Sequence, residues 1–263
     1  MPRLSANLSF LFTEVPFLER FGSARRAGFE AVECLFPYND PKEVIAELLT
    51  RHGLTMGLIN APCGDWEKGE RGLGCRAGHE MRFRQSVLLA IETAVAFDCA
   101  RIHVMSGLID PNAPFASQHD RLVENLAWAC DQALRERITL MVEPINGRDM
   151  PGYFLTSIEQ AANILEQVGR PNLKIQADLY HLQILQGDLS RRLSHFMERI
   201  GHIQIASVPA RQEPDRGELN IHYLLEWIDA LGYQGFVGCE YRPVGETESG
   251  LAWASRYLVR SSE

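Results

Sequence analysis

The feature that most constrains this chain is an alternation. Short runs of apolar and β-branched residues are separated by longer stretches with apolar residues at helical spacing, at a period of roughly 30 residues. Such alternation is the signature of repeated βα units, because two parallel strands need a crossover long enough to hold a helix. Eight runs are found, at 4–10, 31–36, 55–60, 101–105, 139–143, 173–178, 202–206 and 236–241. A length of 263 residues matches the roughly 250 that one closed eight-unit barrel takes. The expectation is one α/β domain over residues 1–263, a single (β/α)8 TIM barrel.

The clearest helical stretch is 118–135, where Leu122, Leu126, Ala129 and Ala133 share a face; 81–97 is similar. The segments "RAGFEAVE" and "LGYQGFVGCE" look alike, each closing a helix with glycine and opening a strand with an aromatic residue. Gly28 and Gly232 suit the left-handed position that follows a helix. Segment 61–78 breaks the pattern with Gly64, Gly69, Gly72, Gly74 and Gly78 and has no periodicity. Long loops in compact domains are usually functional or disordered, and after the third strand this one belongs at the C-terminal face of the barrel, where it is expected to cover the pocket.

Composition narrows the function. Twenty-six Lys and Arg against 34 Asp and Glu leave a net charge of −8, which repels a phosphate backbone unless a basic patch overrides it. The pairs Arg25-Arg26 and Arg191-Arg192 sit in helical patterns and read as solvated faces, so no nucleic-acid partner is expected. Cys34, Cys63, Cys75, Cys99, Cys130 and Cys239 form no CxxC or zinc-type spacing and read as reduced thiols. The start of the chain lacks a secretory layout, and no run of about 18 apolar residues is present to span a bilayer. A cytoplasmic protein without a membrane partner is the expectation. Oligomeric state is left open, a homo-oligomer being compatible with the sequence.

Chemistry enters at the strand ends. "ITLMVEP" ends in Glu143, "LKIQAD" in Asp178 and "FVGCEY" near Glu240, while "GHIQIA" carries Gln204. A carboxylate at the end of a buried strand is costly to desolvate unless it meets a cation or hydrogen-bond donors. Any one alone reads as a helix cap or an arginine partner, but four converging on one barrel mouth form an all-oxygen donor set suited to Mg2+ or Mn2+. His181 opens the loop beside Asp178, and His103 lies near the end of the fourth strand. Glu33, near the end of the second strand, is read as a substrate contact or a structural partner. Arg211, after the seventh strand, is a candidate to receive a substrate carboxylate in bidentate geometry, with Arg216 as competitor.

These residues sit in segments that closely resemble the hydroxypyruvate isomerase family of xylose isomerase-like barrels: "VEPINGRDMPGYFL", "QADLYHLQILQGDL", "GHIQIASVPARQEPDRGELN" and "GYQGFVGCEYRPVGETESGLAW". The likeness extends to "ANLSFLFTEVPFLERF" and "GDWEKGERGLG", and so runs nearly the whole chain. The resemblance implies that Glu143 and Glu240 are an acid/base pair and that Glu143, Asp178, Gln204 and Glu240 hold a divalent metal. His181, Arg211, His103 and Glu33 are then expected at a small sugar-acid substrate. The family includes isomerases of 2-oxo-tetronate, and the segment "EPINGRDMPG" looks more like the hydroxypyruvate group. A metal phosphodiesterase of the abasic-site endonuclease kind, a dehydratase on a similar barrel and a pocket without turnover are the rival readings.

Overall fold

The computed structural model describes residues 1–259; residues 260–263 of the expected domain lie outside the described residues. Eight parallel strands close on one another in sequence order: β1 (Arg3–Asn7), β2 (Ala31–Cys34), β3 (Thr55–Asn60), β4 (Arg101–His103), β5 (Thr139–Val142), β6 (Leu173–Asp178), β7 (Ile200–Ile205) and β8 (Phe236–Cys239). β1 pairs with both β2 and β8, so no strand edge is left open. The helices outside the barrel are α1 (Phe17–Arg26), α2 (Lys42–His52), α3 (Glu80–Ala96), α4 (Phe115–Ala133), α5 (Ile158–Val168), α6 (Leu179–Leu185), α7 (Leu189–Phe196) and α8 (Ile221–Ala230). The fold is the (β/α)8 barrel that the alternation predicts.

Local sequence explains why the units form. In α5 the Ser157 hydroxyl accepts the Gln160 N–H at 3.0 Å, satisfying one of the amides that a helix start leaves unpaired. Ile158, Ala161, Ala162, Ile164 and Val168 are buried against the barrel, and Gly169 ends the helix at φ 61. Ser157→Ala removes the cap at a cost of about 1 kcal/mol. Gly28 and Gly232 have φ of 96 and 80, the left-handed conformation expected of them.

Successive strand side chains alternate between the helix layer and the barrel interior. On β1, Leu4 and Ala6 join the apolar core outside the barrel, whereas Asn7 is buried among polar residues within it. Burying an aliphatic side chain contributes about 1.5–3 kcal/mol, so the outer layer supplies stability while the inner positions are free to be polar. β1 is shorter than expected: its apolar run to Phe10 continues past Asn7 as a turn, with the Leu11 N–H bonded to the Asn7 carbonyl at 2.8 Å. Segment 61–78 holds no helix or strand, but Gly72 bridges to Ser106 beyond β4, which ties the segment to the barrel. All six cysteines are free and buried. Among the described residues, no helix is long and apolar enough to cross a membrane.

Candidate active site

A cavity of about 470 Å³ opens at the C-terminal end of the barrel. His103, Glu143, Gln176, Arg211 and Glu240 line its floor; Phe10, Leu35, Phe36, Met105 and Trp66 form an apolar wall. Trp66 comes from segment 61–78, so that segment reaches the cavity. A second hollow of about 460 Å³ lies at the opposite end, around Arg101, Lys174 and Tyr233. There the Arg101 and Lys174 side chains are already bonded to the carbonyls of Gly201 and Glu198, at 3.0 and 2.8 Å.

The C-terminal cavity is different, because buried polar atoms without partners converge on it. They include Oε1 of Glu143, both ring nitrogens of His103, Oδ1 of Asn60, Oε1 of Gln176 and Nε of Arg211, all on residues that line it. A buried polar group left unpaired costs roughly 1–3 kcal/mol, and several around one space mark a site built for a polar ligand.

Glu143 follows the last residue of β5 and is buried. Its carboxyl is held well above the usual range, first by burial and then by the charges of Asp178 and Glu240. His103 Nδ1 is 3.5 Å from its Oε2. Burial, with His202 nearby, lowers His103 to about 3, so that ring is neutral. Asp178 ends β6 and starts α6: its Oδ1 accepts the Tyr180 N–H at 2.9 Å, leaving Oδ2 to face Arg211 and His181. The carboxylate therefore both caps a helix and points into the site. Burial raises Asp178 as well, opposed by Arg211.

Glu240 follows β8 and is held on every side. Oε2 accepts from Asn7 Nδ2 at 2.8 Å and Gln204 Nε2 at 2.7 Å, and Oε1 accepts from Arg211 at 2.6 Å. Burial raises it to about 8, against the pull of Arg211. Arg211 sits in a turn at φ 55, its N–H bonded to Ser207 and its carbonyl to the Arg242 N–H, at 2.9 and 2.8 Å. The turn aims its guanidinium between Glu240 and Asp178, over the rings of Tyr180 and Phe10.

Glu143, Asp178 and His181 each offer a ligand atom within 4.8 Å of the others, a grouping that could hold a metal ion. The donor chemistry fits a hard cation: an unpartnered buried oxygen on Glu143, and carboxyls raised by burial and mutual repulsion, which a divalent charge would offset. His181 has a second restraint. Its Nδ1 faces the Asn146 backbone N–H at 3.3 Å and its Nε2 the Arg211 guanidinium at 3.4 Å, so donor groups meet both ring nitrogens. Burial holds His181 well below its ordinary value, keeping the ring neutral. Its Nε2 lies 3.6 Å from Asp178 Oδ2 and 3.9 Å from Glu143 Oε1, on a residue that lines the cavity.

Three expectations are redrawn. Gln204, expected as a metal ligand, is off the cavity lining, its oxygen accepting from Gln176 and its nitrogen donating to Glu33 and Glu240, each at 2.7 Å. Glu33, expected at the substrate, is fully buried and off the cavity lining; its oxygens accept from His202, Gln204 and Asn7 at 2.8, 2.7 and 3.2 Å. Arg216, the competitor of Arg211, is exposed and does not line the cavity. Residues not singled out in the sequence also belong here: Asn7, Asn60, Gln176 and Arg242. Asn7, Asn60 and Gln176 obey the rule that found the acids, a polar residue near the C-terminal end of an apolar strand.

The closed barrel and its acidic, partly unpaired mouth define an enzyme of the xylose isomerase-like TIM barrel type, and residues 21–258 match the description of that family. The chain is 48% identical to a 2-oxo-tetronate isomerase of Cupriavidus necator, over 99% of this chain and 100% of the relative. It is 43% identical to a hydroxypyruvate isomerase of Escherichia coli, over 98% and 100%. A solved structure from Brucella melitensis, described as an AP endonuclease of family 2, is 48% identical with a TM-score of 0.97, covering 98% of this chain and 100% of that one. The chain belongs to the hydroxypyruvate isomerase family of xylose isomerase-like barrels, and it is an isomerase.

Proposed function

We propose that the protein interconverts hydroxypyruvate and 2-hydroxy-3-oxopropanoate, with Glu143 and Glu240 as the proton carriers. The observation that supports this reading is the convergence of two buried carboxyls, from β5 and β8, on one cavity in a chain whose relatives are isomerases. The two acids differ by the position of a carbonyl. The reaction removes a proton from C3 of hydroxypyruvate and delivers one to C2, while the hydrogen on O3 is lost and one is gained on O2, through an enediolate. One carboxylate takes the first proton and the other returns one; a carboxyl raised toward neutrality by burial is matched to both tasks. The Arg211 guanidinium, with His181 beside it on the cavity lining, donates to substrate oxygens as charge develops on them. Glu143, Asp178 and Glu240 would hold the divalent cation, Mg2+ or Mn2+. When bound, it supplies Lewis-acid polarisation of a substrate oxygen.

A second substrate, a 2-oxo-tetronate, is favoured by the name of the 48% identical relative and by a cavity with room beyond three carbons. A phosphodiesterase reading is weaker: a net charge of −8 opposes nucleic acid, and the floor is a carboxylate pair rather than a histidine-rich multi-metal cluster. The deciding experiment is a turnover panel of hydroxypyruvate and 2-oxo-tetronates, with products read by NMR, after chelation and after return of Mg2+ or Mn2+. Isomer formation that falls on chelation and returns with metal is expected. Elimination of water would establish a dehydratase, and unchanged turnover after chelation would remove the metal from the reaction.

A further inference from the structure

We infer that Glu33 is a positioning residue: anchored by His202, it fixes the side-chain amides of Gln204 and Asn7, and through them the carboxylate of Glu240. The inference rests on the reading of Glu240 as a proton carrier.

Glu33 lies on β2, its side chain crossing the barrel interior toward β7 and β8. A Cβ on Gly238 of β8 would fall 2.3 Å from Glu33 Oε1, so the glycine leaves the space that this carboxylate fills. Three N–H groups converge on it. Asn7 and Gln204 donate to Oε1, and His202 Nε2 lies 2.8 Å from Oε2, where its N–H makes the third bond.

The consequence falls on Gln204, whose amide could face either way. Its nitrogen lies between two carboxylates, Glu33 and Glu240, at 2.7 Å from each, and its oxygen accepts from Gln176 at 2.7 Å. The reversed amide would set its oxygen against both carboxylates. Asn7 is held in the same way, one nitrogen shared between Glu33 and Glu240. Glu33 therefore directs two donors onto Oε2 of Glu240, which leaves Oε1 turned to Arg211. Glu33 itself is 0% exposed, so it acts on the reaction only through these neighbours.

Two conservative variants separate reach from charge. Glu33→Asp keeps the charge but withdraws the oxygens by about 1.5 Å, the length of one C–C bond, too far to hold Gln204 and Asn7. Glu33→Gln keeps an acceptor oxygen in place, its new nitrogen facing His202 in the opposite tautomer. The expected result is a kcat loss of roughly 10- to 100-fold for Glu33→Asp and of no more than about threefold for Glu33→Gln, with KM unchanged in both. A larger loss for Gln than for Asp would make charge the contribution and overturn the inference. So would a rise in KM with kcat kept, or a fall in melting temperature alone. Crystal structures of the two variants give a readout independent of substrate: Gln204 and Glu240 should shift in Glu33→Asp and stay in Glu33→Gln. An unmoved Glu240 in Glu33→Asp overturns the inference even if the wild type converts neither sugar acid, a result that would itself sink the proposed function.

Discussion

The two halves of the barrel mouth hold chemically identical carboxylates in opposite ways. On the side of β1, β2, β7 and β8, Glu240 has a donor on each oxygen, and the two on Oε2, from Asn7 and Gln204, are tied to Glu33. On the side of β3 to β6, Glu143 has an oxygen with no partner, beside a histidine whose two nitrogens are also unpaired. One half is a hydrogen-bond network complete but for Nε of Arg211; the other leaves several polar atoms unpaired around Glu143. In a buried site that difference assigns labour: the held carboxylate has a fixed orientation, and the unpaired one is open to a cation or substrate.

The largest expected effect tests whether both halves act. Glu143→Gln and Glu240→Gln should each lower kcat by at least about 10² to 10⁴, the worth of general acid/base assistance. Near-full turnover in either variant would end the pairing. The same variants should part company in stability. Glu143→Gln removes a buried, mutually repelled carboxyl and breaks no bond on Oε1, so its melting temperature should hold or rise. Glu240→Gln puts an amide nitrogen among three donors and should lower it by a few degrees, for about 1–3 kcal/mol. Equal melting temperatures would erase the contrast between the halves.

How much of this was legible in the sequence follows the same division. The barrel was readable because eight apolar runs at one period leave few other ways to bury both faces of a parallel sheet. Glu143, Asp178, Gln204 and Glu240 stood out because each interrupts an apolar run near its end; Glu143 and Glu240 line the cavity, while Asp178 and Gln204 lie buried behind it, against Arg211 and Glu240. Asn7 was passed over because the apolar residues Leu8 and Phe10 made its strand look longer than it is. The role of Glu33 was out of reach for another reason: its partners are 26, 169 and 171 positions away, and only closure of the barrel brings them together. Hydrogen-bond tautomers, such as the one in which His202 donates to Glu33, leave no trace in residue order.

A smaller effect is expected where the unfinished half is covered. Trp66 reaches over the cavity from segment 61–78, tilted against Phe36 at 6.3 Å, with the Arg71 guanidinium 3.5 Å above its ring. Trp66→Ala should raise KM by roughly tenfold, the worth of a lost aromatic contact, while kcat falls less. The contrast sharpens if Phe10→Ala, on the wall nearer Arg211, has the weaker effect. Steady-state kinetics on both variants checks it, and an unchanged KM for Trp66→Ala would deny the segment a part in binding.

The smallest effect concerns how that cover is fastened. Both Glu70 oxygens accept from Arg82 on α3, each at 2.7 Å, and Glu70 also accepts the Asp65 N–H, so the turn that carries Trp66 is pinned to a helix. Arg82, opposed by partial burial, holds the Glu70 carboxyl down from 4.5 to about 2. A depressed carboxyl stabilises the fold fully above its unfolded value, and the contribution fades as pH falls from 4.5 toward 2. Glu70→Gln should therefore melt about 1–3 °C below wild type at neutral pH, since the pair is partly solvated, and the gap should close as the buffer is taken below 4.5. Thermal melts across that range are the measurement. A gap that stays constant with pH would mean that the ion pair does not fasten the segment, leaving the bridge between Gly72 and Ser106 to hold it against the barrel.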